Sequence, residues 1–190
     1  MLSYLTVEYD CFLDWNKIYV QNSKQSKASL YRKHSLPLSD IISIQKGIGG
    51  ITIMEFIHKV PSVEAYNQLR VNSGMNSTKP NSEVKKALEG TLFAVSVYED
   101  NELIGLGRVV GDGGITFVVS DIMVDKKFQR RGIANKMMGI IDQWFDENTH
   151  ESSFITLLAK VPADKLYRKH HFCYIDENRV GMIREKQMWE

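Results

Sequence analysis

The residues best suited to chemistry lie in one stretch, Gln129-Arg130-Arg131-Gly132-Ile133-Ala134-Asn135. They follow an apolar run that ends at Val124 and a short basic loop over residues 125–130, and they open an amphipathic helix. The first turn of a helix has unpaired backbone N–H groups and a partial positive charge. Gly132 offers no side chain to block a close approach, and Arg130 and Arg131 add cations beside it. An anion fits such a junction, a pyrophosphate above all. The same features also describe an ordinary solvated connection, so alone they leave both readings open. The glycines at 105, 107 and 111 have the wrong spacing for a dinucleotide fingerprint and sit within and after a strand, where they relieve crowding or mark a bulge.

The surrounding pattern shows what must position this stretch. Residues 51–57 read as a strand, 61–71 and 83–88 as helices, and 91–99, 103–110 and 115–124 as three consecutive strands joined by turns at Asp100-Asn101 and Asp112-Gly113-Gly114. A helix over 131–147 carries Ile133, Ala134, Met137, Met138, Ile141, Trp144 and Phe145 on one side. Residues 154–159 read as a buried strand, 163–169 as a short helix, and 172–175 and 180–184 as closing strands. The order predicts an α+β fold, a mixed, mainly antiparallel sheet flanked by helices.

Composition excludes several classes. The formal net charge is +1 over 190 residues, which gives no reason to expect nucleic acid or an anionic membrane as partner. Cys11 and Cys173 stand far apart and form neither a disulfide framework nor a metal-ligand spacing, which suits a reducing, cytoplasmic setting. The apolar stretch over 36–57 is interrupted by Pro37, Asp40, Gln45, Lys46 and Glu55 and makes a poor membrane span.

Taken together, these residues resemble a known family. Gln129-Arg130-Arg131-Gly132-Ile133-Ala134 is similar to the Q/R-x-x-G-x-G/A acetyl-CoA motif of the GNAT superfamily of N-acetyltransferases. Asp121-Ile122-Met123-Val124-Asp125 resembles the strand that leads into that motif. Residues 105–113 resemble the preceding strand and turn of small bacterial members, and Leu166-Tyr167-Arg168-Lys169-His170-His171-Phe172 resembles the Y-x-K-x-G-F segment near the C-terminus. The resemblance covers residues 54–185. Lys126 follows Asp125 near where proline is frequent, Arg130 stands where glycine is common, and His171 replaces the glycine that normally permits a tight turn.

The resemblance implies a GNAT-like fold and direct acetyl transfer from acetyl-CoA, the cosubstrate, to an amine-bearing acceptor. Backbone amides of Gln129, Arg130, Arg131, Gly132, Ile133, Ala134 and Asn135 would hold the pyrophosphate. The backbone of Ile122, Met123 and Val124 would pair with the pantetheine arm, and an N–H near Val124 would polarise the thioester carbonyl. Tyr167 matches the family's proton donor. Asp121 is the candidate base, with a structural acceptor as its other reading. His170 and His171 receive no role. The acceptor pocket would come from residues 61–88, where Asn67, Arg70, Asn72 and Asn76 are polar candidates. Competing readings are an acetyl-CoA sensor without turnover and an interaction domain without a cofactor. Neither the acceptor nor the oligomeric state, a homodimer included, is written in the sequence.

Residues 1–53 carry no motif: 11–20 could form a short helix, and 21–29 are polar and loop-like. The catalytic domain is expected over 54–190, with 1–53 an extension that either packs on it or is not native. The Gly49-Gly50 pair can be encoded by GGAGG, a bacterial ribosome-binding sequence, shortly before Met54. On that reading residues 1–53 derive from a frame upstream of the true start and are poorly packed.

Overall fold

A computed structural model describes residues 41–47, 50–75 and 77–184. The expectations for residues 1–40 and for Asn76 lie outside the described residues. The chain forms β1 (Ile41–Gly47), β2 (Gly50–Ile57), α1 (Val63–Ser73), α2 (Asn81–Glu89), β3 (Phe93–Glu99), β4 (Glu102–Gly111), β5 (Thr116–Val124), α3 (Ile133–Asn148), β6 (Phe154–Thr156) and α4 (Asp164–Tyr167). The six strands form one sheet in sequence order, antiparallel from β1 to β5 and closed by a parallel β5–β6 pair. This is the mixed, mainly antiparallel sheet expected from the sequence.

Local chemistry explains the boundaries. Ser62 Oγ accepts a hydrogen bond from the Ala65 N–H at 3.2 Å and starts α1, and Gly74 ends it in the left-handed conformation. Asp112 Oδ1 accepts from the N–H groups of Gly114, Ile115 and Thr116, which fixes the β4–β5 turn and lowers the Asp112 carboxyl below the ordinary carboxylate range.

Two apolar layers hold the sheet. On one face, α3 buries Ile133, Met137, Met138, Ile140, Ile141 and Phe145 against Met54, Phe56, Val95, Val97, Val109, Phe117 and Val119. On the other, Tyr66 and Leu69 of α1 and Val84 and Leu88 of α2 pack on Leu103, Leu106 and Met123. Gly107 lets α3 come close: an added Cβ would stand 2.8 Å from Ile122 Cδ1 and 3.1 Å from Ile141 Cδ1. It also lies where the β4–β5 register shifts, so crowding and a bulge both account for it.

Two expectations fail. Residues 172–175 and 180–184 form no strand, and their apolar side chains Tyr174, Ile175, Val180, Met182 and Ile183 are exposed. The strand expected over 154–159 shortens to three residues, and Phe154 is 52% exposed. An apolar, β-branched run shows strand propensity but supplies no pairing partner, and here β6 pairs with only three residues of β5. At the other end, β1 pairs with β2 from Gly50 to Phe56, while only Met54–Ile57 of β2 continues onto β3.

Candidate active site

The site begins at a divergence. β6 pairs with Thr116, Phe117 and Val118 of β5, and among the described residues the rest of that edge has no neighbouring strand. The Asp125 N–H donates to Ile104 O of β4 at 2.8 Å. Backbone groups alternate sides along a strand, so those of Val124 and Ile122 point to the opposite, open edge. The Val124 carbonyl there accepts from Gln129 Nε2 at 3.0 Å. The outward backbone of Ile122 and Val124 is thus a row that an extended ligand can join, and Met123 is turned toward β4 with its side chain buried under α1.

Beyond Val124 the chain makes a 3-10 turn over Lys126–Phe128, and the Asp125 side chain accepts from the Lys127 N–H. The Gln129 side chain, bonded back to Val124, ties the loop to the strand end. Arg130 and Gly132 both adopt left-handed backbone, with φ of 64° and 82°. Left-handed residues in such a loop turn N–H groups to one side, the geometry of an anion-binding concavity. Gly132 stands at the start of α3, where no side chain caps the helix, and an added Cβ would meet nothing within 4 Å. The space beside Gly132 is therefore open, and the N-cap residue offers no side-chain acceptor to the first-turn N–H groups. Ile133 is buried and Ala134 packs on the core, so both present backbone only, while Asn135 is exposed.

The two arginines divide. Arg131 makes a two-pronged ion pair with Glu99 of β3, at 2.7 and 3.3 Å, and lies over the Phe128 ring. Its charge is directed at Glu99 and not toward the helix start, contrary to the sequence reading. Arg130 is exposed and makes no ion pair among the described residues.

Tyr167 ends α4, which packs on α3. Its ring meets Phe172 edge-on, and burial raises its hydroxyl above the usual tyrosine range. The turn after it is made despite the missing glycine: His171 takes φ of 64°, and the Phe172 N–H reaches Tyr167 O at 3.2 Å. His170, given no role by the sequence reading, is buried. Its ring nitrogens lie 2.5 Å from Asp142 Oδ2 and 3.2 Å from Asn135 Oδ1, both on α3. It clamps the Tyr167 turn onto the helix whose N-terminus faces the open space. No pattern of spacing in the sequence signalled this contact.

Asp121 is held by several donors. Its Oδ2 accepts from Arg108 Nε and Nη2 at 2.9 and 2.8 Å and from the Tyr66 hydroxyl at 2.9 Å, and Arg70 Nη1 lies 3.7 Å from Oδ1. Arg108 also donates to Ala87 O and Thr91 Oγ1. These contacts occupy Asp121 Oδ2 with donors from Arg108 and Tyr66, which fits the structural-acceptor reading of Asp121. Tyr66 is raised by burial first and by Asp121 next. Tyr66 and Arg108 were not anticipated, although an arginine inside the apolar run of a central strand does signal a buried partner. Of the polar candidates on α1, Asn67 bonds to Lys79 and Asn81, and Asn72 donates to Asp125 Oδ2 at 2.8 Å. Both fasten the helix in place. Arg70 alone approaches Asp121.

A sequence model of the GNAT acetyltransferase domain matches residues 63–182. The chain belongs to the GNAT acetyltransferase family. Among solved structures it is similar to a protein of unknown function from meticillin-resistant Staphylococcus aureus, named a probable acetyltransferase, at 36% identity. That match covers 70% of this chain and 98% of the other with a TM-score of 0.65. A GNAT-family acetyltransferase from Streptococcus pneumoniae matches at 20% identity and TM-score 0.55, over 78% of this chain and 98% of its own. An aminoglycoside N-acetyltransferase solved with CoA matches at 15% identity and TM-score 0.52, over 71% and 96%. These last two share the fold. No curated protein sequence matches. Among the described residues, no helix of this GNAT protein is long and apolar enough to cross a membrane, and no three His, Cys, Asp or Glu side chains group as metal ligands.

Proposed function

We propose that this GNAT protein transfers the acetyl group of acetyl-CoA directly to the amine of a small molecule or peptide. One observation carries the reading: the outward edge of Ile122 and Val124 runs straight into a left-handed Gly132 with open space before an uncapped helix. A thioester arm fits the edge and a pyrophosphate fits the helix start. When bound, acetyl-CoA supplies an activated thioester carbon; the amine nitrogen bonds to it as the C–S bond breaks, and the sulfur takes up a proton. The Val124 N–H polarises the carbonyl. The backbone of Gln129, Arg130, Arg131, Gly132, Ile133, Ala134 and Asn135, with the Arg130 guanidinium, holds the phosphates. Tyr167 donates the proton to sulfur; burial keeps its hydroxyl protonated. Asp121 orders the acceptor side through Arg108, Tyr66 and Arg70, and the amine proton leaves to water.

Calorimetric titration with acetyl-CoA, followed by free-thiol detection across a panel of amines, tests the proposal. Saturable binding and amine-dependent thiol release are expected. Absence of binding overturns it, and binding without release from any amine identifies a sensor.

A further inference from the structure

The cluster around Asp121 contains more positive than negative charge. Two guanidinium groups, Arg70 and Arg108, face a single carboxylate, and all three side chains are nearly buried, at 12%, 7% and 11% exposure. Tyr66, the fourth member, is neutral at ordinary pH because burial raises its hydroxyl. No other acid forms an ion pair with either arginine among the described residues.

The two arginines are not equivalent. Arg108 is satisfied: its Nε and Nη2 hold Asp121, and its Nη1 holds Ala87 O and Thr91 Oγ1 at 2.7 and 2.8 Å. Arg70 is loosely held. Its Nε donates to Ser77 O at 3.2 Å, its Nη1 reaches the Tyr66 hydroxyl only at 3.5 Å, and its ion pair with Asp121 spans 3.7 Å. Its guanidinium also lies over the Tyr66 ring, 5.8 Å from the centroid, but no partner meets it with the short paired hydrogen bonds that best compensate a nearly buried cation. The planar fork of an arginine matches a carboxylate with two parallel hydrogen bonds.

Position gives this deficit a use. Asp121 immediately precedes Ile122, the first residue of the open edge proposed for the thioester arm, and α1 brings Arg70 to Asp121. We infer that Arg70 receives a carboxylate of the acceptor, so that the amines acetylated here are amino acids or similar amines bearing a carboxylate. The inference rests on the transferase reading and narrows its substrate class.

The test uses the full chain with saturating acetyl-CoA and follows free thiol. The protein L-α-amino acids, β-alanine and γ-aminobutyrate are each compared with the corresponding carboxamide, and spermidine is the control amine without a carboxylate. One or more carboxylates should exceed its carboxamide by about 10- to 100-fold in kcat/KM, the range expected for a charge-assisted hydrogen bond. Arg70→Gln should erase that preference, mainly through KM, and leave the acetyl-CoA Kd unchanged. Arg70→Lys keeps the charge without the fork and should retain part of the preference, which covers the case of a Gln variant that does not fold. Carboxamides or spermidine equalling the carboxylates would overturn the inference, as would a preference that survives Arg70→Gln. Silence from the whole panel with acetyl-CoA bound counts against it too. Failure of the wild-type chain to bind acetyl-CoA would instead strike at the transferase reading.

Discussion

Gly132 offers the sharpest separation of fold from ligand. Its φ of 82° lies in left-handed space, which costs an L-residue about 1–2 kcal/mol. An added Cβ meets nothing within 4 Å, so Gly132→Ala should lose stability through backbone strain alone. For a chain of this size that is a fall in Tm of roughly 2–8 °C. Gly132→Glu carries the same strain and adds a negative charge where the pyrophosphate is proposed to sit. At about 5 Å, two unit charges repel by about 3 kcal/mol at an effective dielectric of about 20, and by about 1 kcal/mol in water. The Kd for acetyl-CoA should therefore rise about 5- to 150-fold more than in Gly132→Ala, and the difference should shrink in high salt. Calorimetry on both variants, with circular dichroism to establish folding, measures this. A folded Gly132→Glu protein with the wild-type Kd would refute the assignment of the phosphates to this helix start.

Tyr167→Phe should leave acetyl-CoA affinity intact and lower the chemical step by about 10²–10⁴-fold in single-turnover kinetics. Because burial raises the Tyr167 hydroxyl above the usual tyrosine range, it stays protonated through ordinary pH, and an alkaline fall in turnover centred near pH 8 that vanishes in Tyr167→Phe would contradict that upward shift. His171→Gly relieves a left-handed residue and should raise stability by about 1 kcal/mol in urea denaturation; no gain would mean that histidine contacts offset the strain. Asp121→Asn should cost about 3–5 kcal/mol by leaving Arg108 without its carboxylate, whereas a stable protein with abolished turnover would restore Asp121 as the base. A chain starting at Met54 keeps the β2–β3 pairing and both packed layers and should fold and bind acetyl-CoA; an unfolded product would show that β1 is structural.

The elements legible in the sequence are those whose signals are local. The α3 stripe, the Asp112 turn and the glycine-led helix start each depend on residues within a few positions of one another, and the structure places all of them. What escaped the sequence depends on pairing. Residues 172–175 and 180–184 are largely apolar runs of strand length, yet such a run cannot say whether an edge is present to receive it. The partners of Asp121 come from α1 and β4, as many as 55 positions away. His170 is a similar case: its neighbours in sequence are exposed, and only the approach of α3, 28 residues earlier, buries it. Arg131 looked like a phosphate ligand because Glu99 is distant in sequence and adjacent in space.

The least legible feature is also the one on which the acceptor side turns. Between Leu106 and Arg108, β4 advances two residues while β5 retreats three, from Met123 to Ser120, so β5 holds one extra residue. Before it, Phe117 and Val119 face the α3 layer. Strict alternation would send Asp121 and Met123 to that same apolar face. The extra residue reverses the sense: Met123 packs under α1, Ile122 and Val124 pack with the α3 layer, and Asp121, at φ of 52°, meets Tyr66, Arg70 and Arg108. Without the bulge a carboxylate would enter the hydrocarbon layer beneath α3, and the two arginines would lose their counter-ion, each costing several kcal/mol. An aspartate tolerates left-handed backbone better than most side chains, so one residue type satisfies both the strained backbone and the buried guanidinium groups. The bulge therefore joins α1, with its spare cation at Arg70, to the last residues of the open edge, so that the acceptor side and the thioester side of the proposed site share one short piece of chain.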